Sequence, residues 1–179
     1  MNITLIRHTS VEVPQGTCYG HTDVPVKSTF SEEAALVKSN LEVYAPFDKV
    51  FCSPLTRAVQ LATYCGYPDA HRDERLMEMN MGDWEMQRYD DICDPFINDW
   101  YKDYLHLPTP NGESFEMQYK RVSNFLDELR HQSYENVAIF AHGGVLLCAQ
   151  VYAGQVTFHN AFSALVPYGG IVHLQLNSK

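Results

Sequence analysis

Residues 4–8 read Thr-Leu-Ile-Arg-His, a short apolar run that delivers an arginine and a histidine side by side. Far downstream, Val137-Ala138-Ile139-Phe140-Ala141 runs into His142-Gly143-Gly144. A second arginine, Arg57, follows the apolar stretch Lys49–Cys52 and a Ser53-Pro54 step. Arg7, His8, Arg57 and His142 are thus two permanent cations and two titratable imidazoles. Brought together they would form a pocket for a phosphoryl group, because guanidinium forks match phosphate oxygens bidentately and stay charged. Neutral imidazole can attack phosphorus, and flanking arginines depress its pKa toward that form. One histidine at a strand end is ordinary. Two, one beside Arg and one beside Gly-Gly, point to a shared site. His21, His71, His106, His131, His159 and His173 lack that setting, although His21 lies in a long early loop.

Release of an alcohol from phosphorus also needs a proton, which a carboxylic acid near an anion can hold. Glu78 stands in an apolar frame, Leu76-Met77-Glu78-Met79, and Asp83 and Glu85 follow closely. By charge alone the three are equal candidates.

These residues need a scaffold that ends several strands at one place. Ile3–Arg7, Lys49–Cys52 and Val137–Ala141 have the length and apolarity of buried strands. Ser31–Tyr44 carries Ala34, Val37, Leu41 and Tyr44 at helical spacing, with Ser31 as the expected N-cap. Ser53-Pro54 suits the opening of a helix that reaches Tyr64. Phe115, Tyr119, Val122, Leu126 and Leu129 predict a helix over Glu113–His131, and Gly144–Ala153 another. Residues 87–105 are aromatic-rich and helical in part. Ser163–Val166 and Ile171–Leu176 read as closing strands around a Pro167–Gly170 turn. The sum is a single α/β domain over residues 1–179, with helices covering a largely parallel sheet. In such sheets ligands bind beyond the carboxyl ends of the strands, where helix amino termini also point.

From His8 to about Phe30 no periodicity holds, yet Val11, Val13, Tyr19, Val24 and Val26 make the segment too apolar for disorder. A loop this long is functional or disordered, so it is expected to wrap the site.

Composition sets the remaining bounds. A chain of 179 residues, 45% apolar and 20% charged, buries roughly two-thirds of its unfolded surface in one domain. No stretch reaches the ~18 apolar residues of a membrane span, and the first apolar run stops at Arg7 rather than extending into a signal peptide. The five cysteines show no metal or disulfide spacing, which suits reduced thiols in the cytoplasm. A net charge of −9 argues against nucleic acid or an anionic membrane as partner. The acids concentrated between Asp69 and Asp103 read as a solvated helical surface.

The motifs Leu5-Ile6-Arg7-His8, Ser53-Pro54-Leu55-Thr56-Arg57-Ala58, Leu76–Glu85, Pro110-Asn111-Gly112-Glu113-Ser114 and Ala141-His142-Gly143-Gly144 occur here in one order. In that set the chain resembles the histidine phosphatase superfamily, which includes the cofactor-dependent phosphoglycerate mutases. The resemblance implies a phosphoglycerate mutase-like, three-layer α/β/α sandwich. It implies that His8 is the nucleophile, that Arg7, Arg57 and His142 hold the phosphoryl oxygens, and that Glu78 donates and accepts the proton. It implies neither metal nor cofactor, because these side chains supply the positive charge. The substrate it implies is a small phosphomonoester. The Gly82-Asp83-Trp84-Glu85 form resembles the phosphatase branch rather than the mutases. Arg7-His8-Thr9, Gly16, Tyr19-Gly20 and Asp23 are similar to α-ribazole phosphatases, which remove the 5′-phosphate of α-ribazole phosphate during assembly of the cobalamin nucleotide loop. Tyr19, Gly20, Trp84 and Gly143 are the expected substrate-binding positions, and Tyr19, Trp84 and Tyr89 the aromatics that could stack on a flat heterocycle.

The chain also departs from the pattern. Thr9 stands where Gly often follows the catalytic histidine. Pro14 replaces an Asn that touches phosphate, so Tyr19 or the Gly20 amide would have to substitute. Met86 replaces a common Gly and could reshape the pocket mouth. Two other readings are a sugar-phosphate or broad-specificity phosphatase, and an inactive relative that only binds phosphorylated ligands. The intact set of five catalytic positions disfavours the second.

Overall fold

The structure, a computed structural model, describes residues 1–177. Its strands are β1 (Asn2–Arg7), β2 (Lys49–Cys52), β3 (His71–Arg72), β4 (Asn136–Ala141) and β5 (Ile171–Gln175). They form one sheet in the order β3-β2-β4-β1-β5. β1 and β2 flank β4 in parallel, β3 runs parallel to β2, and β5 closes the far edge antiparallel to β1. The α-helices are α1 (Phe30–Leu41), α2 (Thr56–Tyr64), α3 (Ile97–Lys102), α4 (Phe115–Leu129) and α5 (Gly143–Tyr152).

Strand alternation builds three layers. Ile3, Leu5, Val137, Ile139 and Ala141 point to one face and pack with Val122, Phe125, Leu126, Val145 and Leu146 of α4 and α5. Ile6, Ala138 and Phe140 point to the other and pack with Val37, Leu41, Ala58 and Leu61 of α1 and α2. With both faces covered, the central strands are apolar throughout, as a parallel sheet requires. A third cluster, Cys18, Met81, Trp84, Ile92, Ile97 and Trp100, sits under the segment after β3. Cys52 and Cys148 are core residues, and all five cysteines are free thiols. Among the described residues no helix is long and apolar enough to cross a membrane.

Several local expectations are corrected. α1 starts at Phe30, after Thr29, and not behind a Ser31 cap; the Thr29 hydroxyl donates to the Glu33 carboxylate at 2.6 Å. Ser53 does not cap α2. Its Oγ accepts from Leu55 N at 3.3 Å, and the true cap is remote, Asp23 Oδ1 accepting from Thr56 N at 2.9 Å. The long helix is capped by Ser114, which accepts from Met117 N at 3.2 Å. Ser163–Val166 forms no strand: residues 158–164 make a 3₁₀ helix. Phe158 and Phe162, four residues apart, both pack on Phe115 at 5.2 and 5.1 Å between ring centroids. A strand would have sent them along an extended line rather than onto one partner. The acidic stretch from 69 to 103 is mostly loop and 3₁₀ turn, with only α3 helical. β3 is two residues long, too short for any periodic signal, and exists through its pairing with β2.

Candidate active site

The register of the sheet gathers the four cationic positions. Arg7 of β1 pairs with Ala141 of β4, and His8 N extends the ladder by donating to Ala141 O at 3.1 Å. His8 and His142 therefore leave adjacent strands together, with ring centroids 5.2 Å apart. On the other side of β4, Ser53 N donates to Phe140 O at 2.9 Å, which starts α2 beside the same edge and brings in Arg57. His8 is 2% exposed, and Arg57 and His142 are fully buried. The pairing read from the two strand-end histidines is realised.

Protonation follows from the partners. His8 Nδ1 lies 2.7 Å from the Thr9 carbonyl, which can only accept, so Nδ1 carries the proton. Nε2 then keeps its lone pair, and it has no hydrogen-bond partner among the described residues. Burial, then the charges of Arg57 and Arg7, pull the His8 pKa down to about 3, against a hydrogen bond to Thr9 that works the other way. His142 is held well below the usual imidazole range, first by burial and then by Arg57. Its Nε2 lies 2.7 Å from Ser53 Oγ. The Ser53 hydroxyl can donate to Nε2 while it accepts from Leu55, and in that arrangement neutral His142 carries its proton on Nδ1. That Nδ1 is buried without a partner, as are Nε of Arg7 and Nε of Arg57. Three unpaired buried donors around one histidine suit an anion with several oxygens, since each would otherwise forfeit a hydrogen bond.

The arginines are held by backbone carbonyls. Arg57 donates to Gly20 O at 2.6 Å and Thr22 O at 3.0 Å, and Arg7 to Val166 O at 2.6 Å. The loop from His8 to Phe30 thus wraps the site as expected. Glu85 anchors it, accepting from the amides of Gly20 (2.9 Å), His21 (2.8 Å) and Met81 (3.1 Å) and from the Thr22 hydroxyl. The Gly20 amide is therefore spent on Glu85, and of the two substitutes proposed for the Pro14 position only Tyr19 remains in the pocket. Asp83 accepts from Asn111 at 2.8 Å.

Of the three carboxylates, Glu78 lines the same cavity as His8, and Asp83 and Glu85 do not. Glu78 shares that cavity, of about 270 Å³, with Arg7, His8, Tyr19, Gly143 and Gly144. Its Oε1 accepts from Met79 N (3.0 Å) and Gln118 Nε2 (2.9 Å), and its Oε2 from Gly144 N (3.1 Å). A Cβ at Gly144 would collide with Glu78 Oε1 and stand 2.7 Å from Gln118, which is why a glycine occupies that position. Arg121 of α4 braces the loop from below, donating to the carbonyls of Arg75, Met77 and Glu78 and pairing with Glu113 at 2.8 Å. Glu113 belongs to the Pro110–Ser114 motif, which thus both caps α4 through Ser114 and braces the Glu78 loop through Arg121.

The substrate-binding expectations divide. Tyr19 and Gly143 line the cavity, and so does Tyr89. Gly20 contributes a carbonyl to Arg57 and does not line it. Trp84 is 2% exposed and packs edge-to-face on Trp100 at 5.5 Å, in the third core cluster, so it is no stacking platform. Met86 sits at φ +67°, the left-handed conformation a glycine would adopt freely, but it is exposed and away from the cavity. His21 faces Glu113 at 4.0 Å and not the pocket. Sequence reasoning missed Ser53 as the partner of His142, Gln118 as the partner of Glu78, and Phe162, Leu165 and Tyr168 as cavity walls. Among the described residues no three His, Cys, Asp or Glu side chains group as a metal site would need.

The profile of the histidine phosphatase superfamily (branch 1) matches residues 3–179. The chain belongs to that superfamily. It is accordingly a phosphatase with a small phosphate-bearing molecule as substrate. It is 31% identical over 154 residues to the adenosylcobalamin/alpha-ribazole phosphatase of Salmonella typhimurium, covering 82% of this chain and 76% of that one. It is 24% identical over 151 residues to phosphoserine phosphatase 1 of Hydrogenobacter thermophilus, covering 79% of this chain and 71% of that one. The crystal structure of the alpha-ribazole phosphatase from Shigella flexneri superposes with a TM-score of 0.89 at 29% identity, covering 99% of this chain and 91% of that one. This confirms the phosphoglycerate mutase-like α/β architecture.

Proposed function

We infer that this phosphatase is a phosphomonoesterase that works through a phosphohistidine on His8, and that its substrate is α-ribazole phosphate. The observation that carries the chemistry is the neutral His8, with Nδ1 committed to Thr9 and Nε2 free, beside three unpaired donors on Arg7, Arg57 and His142. Nε2 attacks phosphorus as the bond to the alcohol oxygen breaks. The arginines and His142 Nδ1–H stabilise the charge on the equatorial oxygens in transit. Glu78 gives its proton to the leaving alkoxide; Oε2, with a single amide donor, has a lone pair free to carry it. Water then attacks the phosphohistidine, Glu78 takes the water proton, and the P–N bond breaks to release inorganic phosphate and neutral His8. No step draws on a metal or cofactor.

The substrate reading rests on the likeness to the two α-ribazole phosphatases and on the apolar lining of the cavity. Met79, Met81, Leu147, Phe162 and Leu165 supply that lining, together with the Tyr89 ring. A flat, apolar heterocycle attached to ribose gains from such a surface, whereas the hydroxyls of a sugar or the charges of phosphoserine gain little. The deciding measurement compares kcat/KM for α-ribazole phosphate, sugar phosphates, phosphoserine and phosphoglycerates, with His8→Ala as control. The expected outcome is a preference of at least about 10²-fold for α-ribazole phosphate and no turnover by the variant. Equal values across substrates would leave a broad phosphatase; activity surviving in His8→Ala would remove the phosphohistidine.

A further inference from the structure

Two tyrosines from opposite ends of the chain meet above the phosphoryl pocket. The hydroxyls of Tyr19 and Tyr168, 149 residues apart, lie 2.9 Å from each other. Each ring rests on one of the pocket's arginines: Tyr168 with its centroid 4.2 Å from the Arg7 guanidinium carbon, Tyr19 at 5.4 Å from that of Arg57. The Tyr168 ring is also 5.5 Å from the His8 ring. Cation–π contact of this kind holds an aromatic ring in place without consuming the guanidinium's in-plane donors, which remain available to an anion.

The pair also stands between two cavities. Tyr19, Tyr168 and Thr17 line both the cavity of about 270 Å³ that holds His8 and Glu78 and a second one of about 380 Å³ bordered by Ser10, Val13, Pro14 and Lys27. His8 is nearly sealed although it must meet substrate, and the Tyr168 ring against it is part of the seal. The bond between the hydroxyls is solvent-exposed, so opening it exchanges one neutral hydrogen bond for bonds to water at little cost. The hydroxyls are also under-used. Two O–H groups share one mutual hydrogen bond, so one proton is left to donate, at the rim of a pocket built for an anion. Burial, together with the bond to Tyr168, raises the Tyr19 pKa, so that hydroxyl keeps its proton across the working range.

We propose that Tyr19 and Tyr168 form a clamp that parts to admit the phosphoester and closes on it, the Tyr168 hydroxyl then donating to a phosphoryl oxygen. This rests on the phosphohistidine reading and adds to it a residue that touches substrate from outside the motifs. A donor that holds the phosphoryl group in both ground and transition states contributes uniform binding, so its loss raises KM and leaves kcat nearly unchanged.

The test uses the intact protein and its Tyr168→Phe, Tyr19→Phe and doubly substituted variants. Inorganic phosphate is titrated by calorimetry, and p-nitrophenyl phosphate hydrolysis is followed in parallel. Tyr168→Phe is expected to weaken phosphate about 10-fold, the effect of losing one hydrogen bond to a charged group, and to raise KM similarly with kcat within about 3-fold. Thermal midpoints should agree between wild type and Tyr168→Phe. Wild-type phosphate affinity in Tyr168→Phe overturns the clamp, as does a loss seen in the thermal midpoint but not in KM. Absence of phosphate binding by the wild type overturns it as well. Phosphate binding weakened in Tyr168→Phe, in a wild type that fails to hydrolyse p-nitrophenyl phosphate, would sustain the clamp and remove the enzymatic reading instead.

Discussion

The strand-end cluster and the mouth of the cavity are built on opposite terms. His8, Arg57 and His142 are buried and Arg7 is half-buried; all four are hydrogen-bonded to backbone or to Ser53 and set by the register of three parallel strands. At the mouth, Phe162, Leu165 and Tyr168 are between 40% and 46% exposed and lie on a 3₁₀ helix and the turn after it. The cluster has little freedom to move without breaking the sheet. The mouth can change residue or conformation at small cost to the fold. On the proposed function, reaction type belongs to the sheet and substrate choice to the segment from 158 to 168. Glu78 tests the division, because it sits on a loop yet is as firmly held as the strand residues, by Gln118, Gly144 and the Arg121 brace.

The largest effect is expected at that residue. If Glu78 belongs to the chemistry, Glu78→Gln removes the proton donor and lowers kcat for alkyl phosphates by about 10³-fold. p-Nitrophenolate needs no such help in leaving, so its release in a single turnover should slow by no more than about 10-fold, although the later attack of water still loses its base. Single-turnover rates on the two ester classes make the comparison. Equal losses would place Glu78 with the mouth, as a binding residue.

The second effect concerns stability and belongs to the cluster alone. His8 has a native pKa of about 3 against an ordinary value of 6.5. Between those values the unfolded chain binds a proton that the native state refuses, so stability rises with pH through this window. It is complete above 6.5 and is lost as the pH falls toward 3. One such group contributes a slope of about 1.4 kcal/mol per pH unit. Denaturant midpoints at pH 7, 6, 5 and 4 should show a slope shallower by about one proton in His8→Asn. Leu165→Ala, at the mouth, should keep the wild-type slope. A wild-type slope in His8→Asn would mean that His8 is charged in the native state, contrary to the nucleophile assigned to it.

The two regions were unequally legible in the sequence. The strands that carry Arg7, His8 and His142 announce themselves because apolar runs of this length have few alternatives, and a parallel sheet ends them at one edge. Arg57 could be placed for the same reason, although its helix proved to be capped by Asp23 from the wrapping loop rather than by Ser53. What could not be read depends on contacts between distant residues. Nothing local marks Gln118 as the partner of Glu78, 40 residues away, or Ser53 as the partner of His142, 89 residues away. Trp84 was expected near substrate because it is next to a motif, but proximity along a chain does not say which face of a loop is buried. Leu165 lies in the Ser163–Val166 stretch, which reads as a strand because a short apolar run cannot reveal its period, and Phe162 lies just before it.

The smallest effect is expected at Leu165, and it bears most directly on the division of labour. Leu165 is 46% exposed, lines the cavity, and sits across from Gly143, where its Cδ1 would be 2.8 Å from an added Cβ. Truncation to Ala removes apolar surface from the wall that would meet the heterocycle but removes no charged or hydrogen-bonding side chain from the phosphoryl pocket. Losing a few methyl or methylene contacts in a half-open wall is worth about 10-fold in kcat/KM. Leu165→Ala should therefore lower kcat/KM for α-ribazole phosphate by about 10-fold and leave glycerol phosphate within about 2-fold. The ratio of the two substrates, measured in one preparation, cancels any difference in the fraction of active enzyme. A loss shared equally by both substrates would mean that the wall acts through Gly143 and Arg7 on the phosphoryl pocket. The mouth would then be part of the cluster, and the apolar wall would no longer support a heterocyclic substrate.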